Sequence, residues 1–161
     1  MESDIDPDLF RKAKGSALRL LKLRPRSVKE LRDRLLQKNY PADVTEKVIV
    51  DLKAAELLDD EAFAKAWVNW RVSGKPVGLR RIALELKDKG IAKEVIESLL
   101  SEAKDNFDER AVVKVIAEKR MGQRAQTSVP FLKRKKRVLD YLLRRGFSAD
   151  VVSRVIRDIK A

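Results

Sequence analysis

The sequence predicts an all-α chain: three tandem three-helix repeat units forming an elongated, curved body. Three observations carry this expectation. Apolar residues recur at i and i+4 along most of the chain, and no stretch shows the period-2 alternation of a half-buried strand. Three segments resemble one another, KNYPADVTEKVIV at 38–50, KGIAKEVIESLLS at 89–101 and RRGFSADVVSRVI at 144–156. A residue tolerant of left-handed backbone stands at one equivalent place in each, Asn39, Gly90 and Gly146, where a helix is expected to end. Aligning Tyr40, Ile91 and Phe147 brings the copies into register at spacings of 51 and 56 residues.

Residues 1–9 read as an acidic N-terminal extension, and the units as 10–58, 59–106 and 107–161. In the first unit a helix over 8–23 carries Leu18, Leu20, Leu21 and Leu23 and is broken at Pro25. Ser27 and Glu30 form a capping box that starts the helix of 28–38, with Leu31 and Leu35 on one face. After Asn39, Pro41 opens a third helix bearing Val44, Val48, Ile49 and Leu52.

The second unit repeats the plan. Asp59, Asp60 and Glu61 precede the stripe of Phe63, Ala66, Trp67 and Trp70. Three consecutive acids diverge around a helix, so they are expected to cap it and complement its dipole, not to bind metal. Trp67 and Trp70 share a helix face and are expected in packing, not as a base-stacking platform. GKPVG at 74–78 lacks the preceding glycine and following Ser or Thr of a phosphate-binding loop and reads as a linker. Ile82 and Leu86, Gly90, then Val95, Leu99, Leu100 and Ala103 complete the unit.

The third unit opens with Val112, Val113, Ile116 and Arg120 over 109–121, breaks over Gln126 to Pro130, and continues with Val138 and Leu142. Gly146 and Ser148 form the junction, and Val151, Val155, Ile156 and Ile159 the last stripe. A lone unit of this size buries so little of its surface that it would be marginal, so neighbours are expected to stack and share apolar surface.

Composition narrows the chemistry. There is no Cys and no His, which removes disulfides, thiolate ligands, the commonest metal ligand and the commonest general base. No nucleophile stands with a base, so neither an enzyme nor a cofactor is expected. No apolar run approaches a bilayer span, and the N-terminus lacks the basic-then-apolar pattern of a secretory signal. A cytoplasmic monomer without membrane contact is the expectation.

The formal net charge of +12 is unevenly placed. Residues 10–38 and residues 114–145 each carry eleven Lys or Arg against two acids, while residues 39–113 carry twelve bases and fifteen acids. Two basic regions flanking an acidic middle suit a polyanion, or an acidic protein face, met at two places. Within them, Arg24, Arg26, Lys29 and Arg32 mark the start of the second helix of unit one, and Arg80 and Arg81 match them in unit two. KRKKR, Lys133, Arg134, Lys135, Lys136 and Arg137, stands in unit three, with Arg144 further along.

Four stretches in order, ALRLLKLRPRSVKELRDRLLQKNYP, AAELLDDEAFAKAWVNWR, GLRRIALELKDKGI and LLRRGFSADVV, resemble the RecX family, regulators of the RecA recombinase. The resemblance covers nearly the whole chain. It implies an elongated body of three-helix repeats that binds in the groove of the RecA filament on single-stranded DNA. There it would lower ATP hydrolysis and strand exchange, disturb filament assembly and affect the filament's coprotease role in the damage response. It also implies filament or DNA contacts for Arg24, Arg26, Lys29, Arg32, Arg80 and Arg81. Lys133 to Arg137 and Arg144 join them from the charge pattern. Ser16 stands where many members have Tyr, and Val77 where a basic residue is usual. A non-specific DNA-binding helical repeat protein, touching single- or double-stranded DNA through its basic edge, is the competing expectation, and a helical scaffold whose charges serve only solubility is a third.

Overall fold

A computed structural model of the chain describes residues 6–74, 76–123 and 128–160. Residues 1–5 of the acidic extension, Lys75 of the GKPVG stretch, and Gln126 and Thr127 before Pro130 lie outside the described residues. Among the described residues there are nine helices and no strand. They are α1 (Pro7–Leu23), α2 (Val28–Gln37), α3 (Ala42–Ala54), α4 (Asp60–Ser73), α5 (Leu79–Asp88), α6 (Lys93–Asn106), α7 (Glu109–Gln123), α8 (Phe131–Arg144) and α9 (Ala149–Asp158). The chain divides into two compact units, Met1–Trp67 with Leu86–Ile96, and Val68–Glu85 with Glu97–Ala161.

In the first unit the Asp6 carboxylate caps α1 by accepting from the Asp8 N–H at 2.9 Å, and Pro7 occupies the first turn, where its missing N–H costs nothing. Arg24 is extended at the end of α1, as a residue before proline must be. The buried face of α1 is made of Ala13, Ser16 and Ala17, small residues that let α3 approach closely. Leu18 and Leu23 face water instead, Leu23 being 79% exposed, while Leu20 and Leu21 are half-buried and pack against the core.

That core joins Ala13 and Ala17 to Val28, Leu31, Leu35, Val44, Val48, Ile49, Leu52 and Leu58. Each fully buried leucine contributes roughly 1.5–3 kcal/mol. Ser16 is buried but satisfied, its hydroxyl 2.8 Å from the Tyr40 hydroxyl and accepting from Arg19 Nη2 at 3.0 Å.

The second unit is built around Val113, Ala117 and Met121 of α7, Val138 and Leu142 of α8, and Val152, Val155 and Ile156 of α9, with Phe107 and Phe147 closing the ends. Val113, Ala117 and Met121 stand four apart, so α7 buries one narrow stripe. Val77 is also buried, which accounts for an apolar residue at this place.

The i, i+4 pairs Leu31 and Leu35, Ile82 and Leu86, and Val138 and Leu142 are all buried. The following stripe differs by one residue: Ile96 and Val152 are buried where Val95 and Val151 are only half-buried. The equivalent residue in the first copy is Thr45, fully buried, and its hydroxyl hides the column from an apolar pattern.

Each copy's second helix ends in the same hydrogen-bonded turn. The N–H of Asn39, Gly90 and Gly146 donates to the carbonyl of Leu36, Lys87 and Leu143, each at 2.9 Å. The N–H of Tyr40, Ile91 and Phe147 reaches back to Leu35, Leu86 and Leu142. The second bond requires the left-handed residue before it, and Asn39, Gly90 and Gly146 have φ of 63°, 78° and 80°. A fourth turn of this kind closes α3, with Glu56 at φ 56° in the left-handed place.

Candidate functional site

The basic side chains are sorted by what their local structure leaves them. Arg24 is held by Glu30, both Nη atoms donating to its carboxylate at 3.2 Å, and by the Pro25 carbonyl at 2.9 Å. Arg26 is half-buried and donates to the Leu20 carbonyl at 3.4 Å. Burial, and then the neighbouring Arg24, lower its pKa. Arg32 makes a two-pronged pair with Glu46, which raises the guanidinium pKa and lowers that of the carboxylate. Lys29 donates to the Asp88 carbonyl at 2.8 Å.

The start of α2 is therefore a docking point within its own unit. The Ser27 hydroxyl donates to the Lys89 carbonyl at 2.7 Å while accepting from the Glu30 N–H at 3.1 Å, and the Asp60 carboxylate accepts from the Val28 N–H at 2.7 Å. Lys89 Nζ reaches Glu30 at 2.8 Å. Burial pushes the Glu30 carboxyl up, but hydrogen bonds from Arg24, Lys89 and the Ser27 N–H outweigh it and bring its pKa down to about 2. Of the three consecutive acids, Asp59 caps α4 through the N–H groups of Glu61 and Ala62, at 2.8 and 3.0 Å, and Asp60 and Glu61 lie in its first turn.

In the second unit Arg80 and Arg81 are exposed on the first turn of α5, and Arg81 Nε reaches Glu85 at 3.3 Å. Glu85 also takes both donors of Arg71, at 2.7 and 2.6 Å. The two tryptophans part company. Trp67 is half-buried, stacked on Phe63 at 5.9 Å with the Lys89 ammonium 4.2 Å from its centroid, as packing requires. Trp70 is 49% exposed, under the Arg71 guanidinium at 4.7 Å, so it is not a core residue.

The KRKKR run lies on the extended first part of α8, which has 14 residues against 10 in α2 and in α5. Lys133, Lys136 and Arg137 are exposed. Arg134 lies over the Phe131 ring at 5.5 Å, and Lys135 donates to the Arg157 carbonyl at 3.2 Å. Further along, Arg137 and Arg144 line a cleft of about 420 Å³ with Arg120, Val138, Asp140 and Tyr141. Sequence reasoning treats Arg120 as a member of an apolar stripe. The structure puts its guanidinium 3.4 Å from the Tyr141 ring centroid. The only sequence signal for this is a cation standing where the periodicity asks for an apolar residue.

Models of the three RecX domains match in chain order, the first three-helix domain over residues 13–52, the second over 59–100 and the third over 108–156. The chain belongs to the RecX family. It is similar to the regulatory protein RecX of Pelodictyon phaeoclathratiforme, 37% identical over 88% of this chain and 84% of the relative. The regulatory protein RecX of Thermobifida fusca is 30% identical over 94% of this chain and 80% of the relative. Among solved structures, RecX from Lactobacillus salivarius superposes with a TM-score of 0.76 at 25% identity, covering 94% of this chain and 96% of that one. A RecX-type regulatory role follows for the chain. No helix among the described residues is long and apolar enough to cross a membrane.

Proposed function

We propose that this RecX-family chain binds the RecA recombinase filament on DNA and lowers its ATPase, recombinase and coprotease activities. Membership of a family of regulatory proteins, over three consecutive domains, carries this reading. The charge supports it. Lys133, Lys136, Arg137 and Arg144 are exposed on one helix and suit a partner rich in phosphate or carboxylate. Arg24 and Arg32 are already matched by Glu30 and Glu46, so α8 is the better candidate for contact.

The test is ATP hydrolysis by preformed RecA filaments on single-stranded DNA, titrated with far fewer copies of this chain than of RecA. Inhibition at such ratios is expected, because an agent acting on the filament need not cover the DNA. Inhibition only once the DNA is coated would favour a plain DNA-binding protein, and no inhibition at any ratio would refute the proposal.

A further inference from the structure

We infer that the cleft between α7 and α8 is a subsite for the phosphodiester backbone of nucleic acid, with Arg120, Arg137 and Arg144 as its donors. Arg137 and Arg144 stand seven residues apart, two turns along one face of α8, with Tyr141 between them. Their backbones are roughly 10.5 Å apart at 1.5 Å per residue. That span suits a ligand with repeated charge better than a single carboxylate.

Arg120 enters from α7, its guanidinium carbon 3.4 Å from the Tyr141 ring centroid. A guanidinium held over a ring keeps N–H groups for a tetrahedral anion. Tyr141 is itself fixed, its hydroxyl accepting from Arg145 Nη1 at 3.0 Å while Arg145 Nη2 donates to the Pro76 carbonyl at 2.7 Å. With Arg120 over the Tyr141 ring, a third guanidinium joins Arg137 and Arg144 at the cleft, which points to recognition of a charged backbone.

Asp140 is the one carboxylate in the lining, against three guanidinium groups. None of the three arginines pairs with a carboxylate among the described residues. In the first two copies the residues aligned with Arg144 are Gln37 and Asp88, so this cluster belongs to the third alone. The inference deepens the filament reading and rests on it only in taking DNA to be part of the partner.

The experiment measures binding of the full chain to a fluorescent oligothymidylate by anisotropy across a salt series. The variants are the pair Arg137→Gln with Arg144→Gln and, for equal loss of charge, the pair Arg110→Gln with Arg154→Gln. The control pair is exposed and lies outside the cleft, facing Asp158 and Asp150. Losing two phosphate contacts on a single strand should flatten the slope of log K against log salt by about 1.4. The control should keep the wild-type slope. Tyr141→Leu, which removes the ring under Arg120, should lose part of the slope.

Equal slopes for the wild type and the cleft pair would overturn the subsite. So would a wild-type chain that binds no oligonucleotide yet inhibits RecA, which leaves the filament reading intact. A flattened slope in a chain with no effect on RecA would support the subsite and sink the filament reading. If the cleft pair lost RecA inhibition with its DNA slope unchanged, the cleft would serve an acidic protein face and the inference would be wrong.

Discussion

Gly78 packs directly against Gly146: a Cβ added to Gly78 would stand 1.9 Å from the Gly146 carbonyl oxygen. The Gly78 N–H donates to the Arg145 carbonyl at 3.0 Å, so the approach is a hydrogen-bonded one. Gly78 is the residue aligned with Ser27, whose hydroxyl bonds the Lys89 carbonyl, just ahead of Gly90. The residue that starts the second helix of one copy is thus bonded to the carbonyl before the turn glycine of the next. Gly78→Ala should cost about 1–3 kcal/mol, the range for overpacking, read as a lower urea midpoint. An unchanged midpoint would show that the two backbones part without cost.

Ser27→Ala removes two bonds together, the acceptor for the Glu30 N–H and the donor to the Lys89 carbonyl. Loss of a cap alone costs about 1 kcal/mol. The stranded carbonyl should take the total to about 2 kcal/mol. Denaturant unfolding of Ser27→Ala beside Ser27→Asp separates the parts, since Asp still accepts from the Glu30 N–H but has no proton for Lys89. If Asp restores full stability, the long-range bond contributes nothing.

Glu56 holds a left-handed conformation that costs an ordinary residue roughly 1 kcal/mol. Its side chain is exposed. Glu56→Gly should therefore stabilise the chain by up to about 1 kcal/mol, after the greater freedom of glycine in the unfolded state takes its share. A lower thermal midpoint for this variant would contradict that account of the α3 terminus.

Sequence shows those features whose cause is local. The left-handed sites at Asn39, Gly90 and Gly146, the Ser27 and Glu30 capping box, and the buried pairs such as Leu31 and Leu35 each follow from a few neighbouring residues. Glu56 escapes because its side chain gives no sign of a left-handed site. Leu18 and Leu23 mislead because composition cannot tell which side of α1 its partner takes, and the partner chooses Ala13 and Ala17. Thr45 is missed because its methyl packs while its hydroxyl reads as polar. The second role of Ser27 depends on a residue 62 positions away. Charge pattern finds the basic residues but not that Glu30 and Glu46 hold two of them, nor that Arg120 joins Arg137 and Arg144.

Glu30 ties stability to pH. Its pKa in the folded chain is about 2, against 4.5 for the free side chain. A depressed carboxylate stabilises the fold above its unfolded pKa, and that contribution drains away as pH falls from 4.5 towards about 2. Urea midpoints over this window should fall more steeply for the wild type than for Glu30→Gln, with the curves separated at neutral pH and converging in acid. Parallel curves would mean that the contacts with Arg24, Lys89 and Ser27 do not favour the charged form.

Lys133 and Lys136 offer the sharpest separation of binding from folding, because both are exposed on α8, whereas Arg32 is committed to Glu46. Reversing both lysines to Glu should leave the thermal midpoint within the change expected of surface sites, about 0.5 kcal/mol. It should also raise the amount of chain needed to half-inhibit RecA ATPase by about tenfold, which corresponds to roughly 1.4 kcal/mol. Arg32→Glu should do the reverse. It sets a carboxylate against Glu46 and lowers stability by about 1 kcal/mol, with less effect on inhibition per folded molecule. The loss for the lysine variant should grow smaller as salt is raised, since screening removes the attraction that the wild type enjoys. Wild-type inhibition by the lysine variant at low salt would take the start of α8 out of the contact and return attention to Arg80 and Arg81 on α5.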